Sequence, residues 1–171
     1  MKVLMVCMGN ICRSPTAEAV LRHKLSAAGL ADLVTVDSAG THGWHAGSPP
    51  DERSVAHARR RGYDLSTLRS RPVAAADFER FDLILAMDGD NLAILEERCP
   101  PQHRTKLGRF VDHARRHQED AVPDPYSGGA AGFEHVLDLI EDACDGLVAM
   151  LQREKEGRRQ GNFPPQCRPK Q

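Results

Sequence analysis

Apolar residues fall along this chain in two recurrent patterns. Val3-Leu4-Met5-Val6, Leu33 to Val36 and Leu83-Ile84-Leu85-Ala86 are short unbroken runs, the form expected of parallel strands covered on both faces. Between them, apolar positions recur at helical spacing. Ala17, Val20, Leu21, Leu25 and Ala28 mark a helix with Ser14 as its cap, Pro15 at its first position and Gly29 at its end. Asp51 to Arg61 predicts a second helix stopped by Gly62, and Asn91 to Glu97 a third that ends before Cys99-Pro100-Pro101. Thr105-Lys106-Leu107 gives a weak fourth strand. The longest helix is predicted from Gly132 to about Glu154, with Phe133, Val136, Leu137, Ile140, Ala143, Leu147 and Met150 as its buried stripe. Strands alternating with helices imply one α/β domain over 1–154, a parallel sheet with helices on both faces. Over 155–171 Gly, Arg, Gln and Pro dominate, so this segment is expected to be a mobile tail.

Composition narrows the function. A net charge of -1 gives no bulk field towards nucleic acid or an anionic membrane, so any anion must be held by a local site. No apolar run approaches the roughly 18 residues of a membrane span, and the start is too short for a signal peptide. A cytoplasmic location without membrane association is expected. Five cysteines, with no Cys-x-x-Cys pair, argue against a disulfide scaffold or a structural zinc site.

The candidate chemistry lies in the turn after the first strand. Cys7 and Arg13 have a Cys-x5-Arg spacing, which carries little alone in a chain with five cysteines. Its setting carries more, because the loop leaves a buried strand and opens a helix. Met8, Gly9, Asn10, Ile11, Cys12, Arg13 and Ser14 then form a loop whose backbone N–H groups can converge on a phosphoryl group at a helix N-terminus. Gly9 and Asn10 are expected to supply the left-handed backbone of such a nest. Arg13 can fork two hydrogen bonds onto two phosphoryl oxygens, and the same donors favour the thiolate of Cys7 as nucleophile. Ser14 is placed to hydrogen-bond that sulfur. Asp124, in Pro123-Asp124-Pro125-Tyr126, is a carboxylic acid on a stiffened loop, suited to protonating a leaving oxygen. Alone, that tetrapeptide is an ordinary turn; with the Cys7 loop it completes a reaction.

Val6-Cys7-Met8-Gly9-Asn10-Ile11-Cys12-Arg13-Ser14-Pro15, Ser38-Ala39-Gly40-Thr41, Ala86-Met87-Asp88 and Asp124-Pro125-Tyr126 together resemble the low-molecular-weight protein tyrosine phosphatases, in the family's order over about residues 1–152. The resemblance implies a four-stranded, flavodoxin-like parallel sheet. It also implies hydrolysis of protein phosphotyrosine through a phosphocysteine, with neither metal nor cofactor. Cys7 would be the nucleophile, Arg13 the phosphate and transition-state ligand, and Asp124 the acid and then the base. Asn10 and Ser38 would brace the loop, and Trp44 and Tyr126 would wall an aromatic slot. Phosphotyrosine proteins, a tyrosine kinase among them, would be the partners. The chain departs from the pattern at Leu68, where many members have histidine. It departs again at Ser127, where animal members often have a second tyrosine, so phosphorylation control of that pair is not expected.

The remaining reactive residues read more plainly. Cys99 and Cys144 fit small core positions, Cys167 lies in the tail, and Cys12 is either a packing residue or a redox partner of Cys7. His113 and His117, and likewise His42 and His45, lack the further ligands of a metal site. Arg59-Arg60-Arg61 reads as a solvated helix end. Thioredoxin-coupled arsenate reductases share the loop, but they need two further cysteines and no Asp-Pro acid. Phosphoarginine phosphatases typically carry threonine where Ile11 stands. A catalytically idle phosphoprotein-binding module would lack Cys7, Arg13 or Asp124, and all three are present.

Overall fold

A computed structural model describes residues 1–160. Its strands are β1 (Lys2–Cys7), β2 (Thr35–Gly40), β3 (Leu83–Ala86) and β4 (Leu107–Arg109). Its helices are α1 (Arg13–Ala27), α2 (Glu52–Arg60), α3 (Ala75–Arg80), α4 (Gly89–Arg98) and α5 (Ala130–Arg159). All strand pairs are parallel, in the order β2-β1-β3-β4. Strand β1 alternates between two cores, which explains its unbroken hydrophobicity. Val3, Met5 and Cys7 join the larger core under α1 and α5, while Leu4 and Val6 join Ile84, Phe78 and Leu95 on the other face. The chain leaves β1 in one direction to β2 and in the other to β3. Ligands bind beyond the carboxyl ends of strands at such a reversal, and Cys7 is the last residue of β1.

Several expectations need correction. Strand β2 spans Thr35–Gly40 rather than Leu33 to Val36, and Leu33 is half exposed. Its sequence, Thr-Val-Asp-Ser-Ala-Gly, hides the strand because Asp37 and Ser38 are spent on side-chain hydrogen bonds instead of apolar packing. Helix α1 begins at Arg13 with no side-chain cap, so Ser14 lies inside it. Helix α3 was not foreseen; Asp77 makes it by accepting the backbone N–H of Ala74 at 2.8 Å. Helix α5 continues to Arg159, so the helix end expected at about Glu154 falls too early and 155–159 are helical. Residues 161–171 of the expected tail, Cys167 included, lie outside the described residues. Arg61 is not merely solvated: it binds Glu134, Asp138 and Glu141 and ties α2 to α5.

The segment between β4 and the Asp124 loop is held by one buried carboxylate. Asp142 of α5, with no exposed surface, accepts the backbone N–H groups of Arg115, Arg116 and His117 at 2.8–3.0 Å. The His117 ring nitrogen Nδ1 adds a contact at 2.8 Å. Gly146 lets the same segment press onto α5, since a Cβ there would sit 1.7 Å from the His113 carbonyl oxygen.

Candidate active site

The loop from Cys7 to Ser14 curls at the mouth of β1. Asn10 has φ 56°, the one non-glycine residue in the left-handed region among the described residues. Gly9 does not share that conformation, contrary to expectation. Its missing side chain matters sterically instead, because a Cβ would stand 2.9 Å from the His45 ring. Gly40, beside Cys7 in register, is needed for close approach: a Cβ would meet the Met8 carbonyl oxygen at 2.6 Å. Among the described residues, no backbone N–H from Gly9 to Cys12 donates within the protein. Those groups, at the uncapped start of α1, form the donor cradle an anion requires.

A chain of hydrogen bonds behind the loop fixes the proton positions. The backbone N–H of Arg71 donates to Asn10 Oδ1 at 3.0 Å, so the Asn10 amide nitrogen must face the other way. It donates to Ser14 Oγ at 2.8 Å and to Ser38 Oγ at 2.9 Å. Ser38 passes its own hydrogen to Glu18 at 2.7 Å. Ser14 Oγ, which accepts from Asn10, lies 3.0 Å from Cys7 Sγ and 3.5 Å from the Ala39 carbonyl oxygen. Asn10 and Ser38 are thus joined directly by a hydrogen bond, and Ser70 adds one to the Gly9 carbonyl at 2.9 Å. Leu68 packs against the larger core, and the buried Glu18 ends the bracing chain. Burial pushes the Glu18 carboxyl up, opposed by Ser38 and by Arg22, which lies 2.9 Å away.

Arg13 is one of the largest buried side chains, 2% exposed. Its Nη1 donates to Asp88 at 2.6 Å and to the Val122 carbonyl at 3.1 Å. That grip leaves Nε and Nη2 as one free edge of the fork, with Nη2 at 3.7 Å from Asp124. Asp124 itself accepts the Tyr126 N–H at 3.0 Å, which aims the carboxylate back across the cleft. Cys7, Ile11, Arg13, Trp44, Asp124 and Tyr126 line one cleft. Trp44 and Tyr126 are both mainly exposed at its rim, and Trp44 stacks on His42 with ring centres 4.3 Å apart. Cys12 lines the same cleft but is buried. Burial pushes its thiol up to about 12, a contact with Ser54 opposes this, and the charges of Asp51, Cys7 and Asp124 add to it.

Asp88 stood in the sequence only as part of a family-like motif with no role assigned, and Glu18, Ser70 and Arg53 carried no assigned role either. Asp88 carried a signal: an acid just past a buried strand that caps the next helix, here by accepting the Asn91 N–H at 2.8 Å. Cys99 and Cys144 are buried as expected, and burial raises both thiols.

A cysteine, an arginine fork and unpaired backbone N–H groups meet at the carboxyl edge of a doubly wound sheet, a setting suited to holding a phosphoryl group. The family model for low molecular weight phosphotyrosine protein phosphatase matches residues 2–157, and the chain belongs to that family. A Synechocystis relative is 46% identical over 155 residues, covering 90% of this chain and 98% of its own. The low molecular weight protein-tyrosine-phosphatase of Streptomyces coelicolor is 42% identical over 160 residues, covering 92% and 97%. The crystal structure of a protein tyrosine phosphatase from Entamoeba histolytica, with Hepes in its active site, superposes with a TM-score of 0.88 at 44% identity, covering 91% and 99%. The enzyme class is that of the protein-tyrosine phosphatases, phosphoric monoester hydrolases. Among the described residues, no helix is long and apolar enough to cross a membrane.

Proposed function

We propose that the enzyme hydrolyses protein phosphotyrosine through a phosphocysteine on Cys7. The observation that carries this reading is the half-occupied Arg13 fork, pinned by Asp88 and Val122 with its free edge beside Asp124 in the cleft of Cys7. The Cys7 thiolate attacks phosphorus, the S–P bond forms and the P–O bond to tyrosine breaks. Arg13 and the loop N–H groups hold the equatorial oxygens, where charge gathers. Asp124, entering as the carboxylic acid, gives its proton to the leaving phenolate. In the second step it takes a proton from water as that water displaces Cys7 from phosphorus. The substrates are phosphotyrosine proteins, a tyrosine kinase bearing such a residue among them, and the setting is cytoplasmic.

Selectivity follows from the slot. Trp44 and Tyr126 suit a flat ring long enough to carry phosphate down to Cys7, which is 2% exposed. A phosphoserine arm is shorter, and Ile11 offers no polar handle to a guanidinium. Phosphotyrosine peptides are expected to exceed matched phosphoserine and phosphoarginine peptides in kcat/KM by about 100-fold or more. Equal values would reject the assignment.

Cys12 supports a second role for the loop. Peroxide oxidises Cys7 to a sulfenic acid; the Cys12 sulfur then displaces its hydroxyl, forming an S–S bond and releasing water that carries the Cys12 proton. Dithiothreitol would return both thiols. After peroxide and dithiothreitol, wild type should recover most of its activity and Cys12→Ser little. Equal recovery, with no peptide linking Cys7 to Cys12 in mass spectra, would leave Cys12 a packing residue.

A further inference from the structure

Arg53 bridges the two loops that must meet in the reaction. The backbone N–H of Asp51 donates to the Ile11 carbonyl of the phosphate loop at 2.8 Å. The Asp51 carboxylate then takes Arg53 Nε at 3.2 Å and Nη2 at 3.1 Å. From there Nη2 reaches the Tyr126 carbonyl at 2.8 Å, two residues beyond Asp124. The guanidinium carbon also lies 5.4 Å from the centre of the Tyr126 ring and 4.8 Å from that of Phe133, in the first turn of α5. The chain Ile11–Asp51–Arg53–Tyr126 thus crosses from the phosphate loop to the loop that carries the acid.

That loop has few other anchors near Asp124. Val122 is held by Met87 and Arg13 on one side, while Asp124 and Tyr126 are themselves about half exposed. The Asp124–Tyr126 turn is closed by its own hydrogen bond, so whatever fixes the Tyr126 carbonyl also fixes the carboxylate. A planar fork that binds a carboxylate and a carbonyl while stacking on rings is a task for arginine, not lysine. We infer that Arg53 is a positioning residue for proton transfer, setting the distance from Asp124 to the leaving oxygen and the tilt of the Tyr126 wall.

This rests on the reading of Asp124 as the acid, and its test separates the two. Aryl phosphates with leaving phenols from strongly to weakly basic are compared on wild type, Arg53→Met, Arg53→Lys, Asp124→Asn and Arg53→Met/Asp124→Asn. Arg53→Met should lower kcat roughly tenfold for the most basic phenol, because small misplacements of a catalytic group cost that much or more. For the most acidic phenol, which needs no proton, the loss should be under about twofold. In the Asp124→Asn background the Arg53 change should have almost no further effect, since coupled residues are not additive. Arg53→Lys, which keeps the charge, should show the same dependence on the phenol at smaller size, and it serves if Arg53→Met proves unstable. A uniform loss across the phenols in either variant, or an undiminished loss without Asp124, would overturn the role of Arg53 alone. An Asp124→Asn enzyme insensitive to the phenol would remove the acid itself, and this proposal with it.

Discussion

Cys7→Ser is expected to bind inorganic phosphate about as well as wild type and to lose at least about 10⁴-fold in kcat. The loop donors and the Arg13 fork do not involve the sulfur, so the anion site survives the change. What disappears is a nucleophile that can be held as an anion. The Ser14 hydroxyl, which accepts from Asn10, lies 3.0 Å from Cys7 Sγ. A hydroxyl there cannot act as a base for a serine. Asp124, the one carboxylate lining the cleft among the described residues, would be engaged with the leaving oxygen. Steady-state kinetics and phosphate titration on the same preparation check both halves. Turnover within about 100-fold of wild type would exclude Cys7 as the essential nucleophile.

Asp142→Asn should be the most damaging change to stability outside the apolar core. Three backbone donors and a histidine nitrogen converge on this fully buried carboxylate. An asparagine would offer one oxygen and turn two N–H donors towards donors already there. The expected loss at pH 7 is about 3 kcal/mol, as for other buried charge contacts broken on one side. The pH dependence has a definite sign. Burial alone would raise this carboxyl, but the N–H groups of Arg115, Arg116 and His117 and the His117 side chain outweigh it and hold it well below the usual carboxylate range. A depressed folded-state value means the stabilisation is complete above the unfolded value near 3.9 and is lost as pH falls below it, towards the folded value. Urea midpoints should therefore separate widely at pH 7 and converge as pH falls from about 4 to 2. A constant gap across that range would show that Asp142 acts by packing alone.

The sequence disclosed the parts of this site that are local and withheld those that depend on distant contacts. The Cys7 loop, the Asp124 turn and the strands at Val3 and Leu83 were legible because each pairs a short pattern with a backbone need. Strand β2 was misplaced because Asp37 and Ser38 look like loop residues until Arg71 and Glu18 arrive to bind them. Ser14 looked like a cap and is not one; its contact with Cys7 was expected, but the bond it accepts from Asn10 appears only in the curled loop. Arg53 and Asp88 are ordinary charged residues in their own segments. Their roles appear only when β3 places Asp88 against Arg13, and when α2 brings Arg53 over Tyr126. The α5 terminus was set too early because a polar helix carries no apolar stripe to read beyond Leu151.

The central claim is that phosphate passes through the sulfur of Cys7. Wild type mixed with excess aryl phosphate, quenched in its first turnovers and digested, should yield one phosphoryl group on the peptide that carries Cys7. The same peptide from Cys7→Ser should carry none. Label on any other residue of a fully active enzyme, or a burst of phenol with no phosphoenzyme at all, would contradict the mechanism.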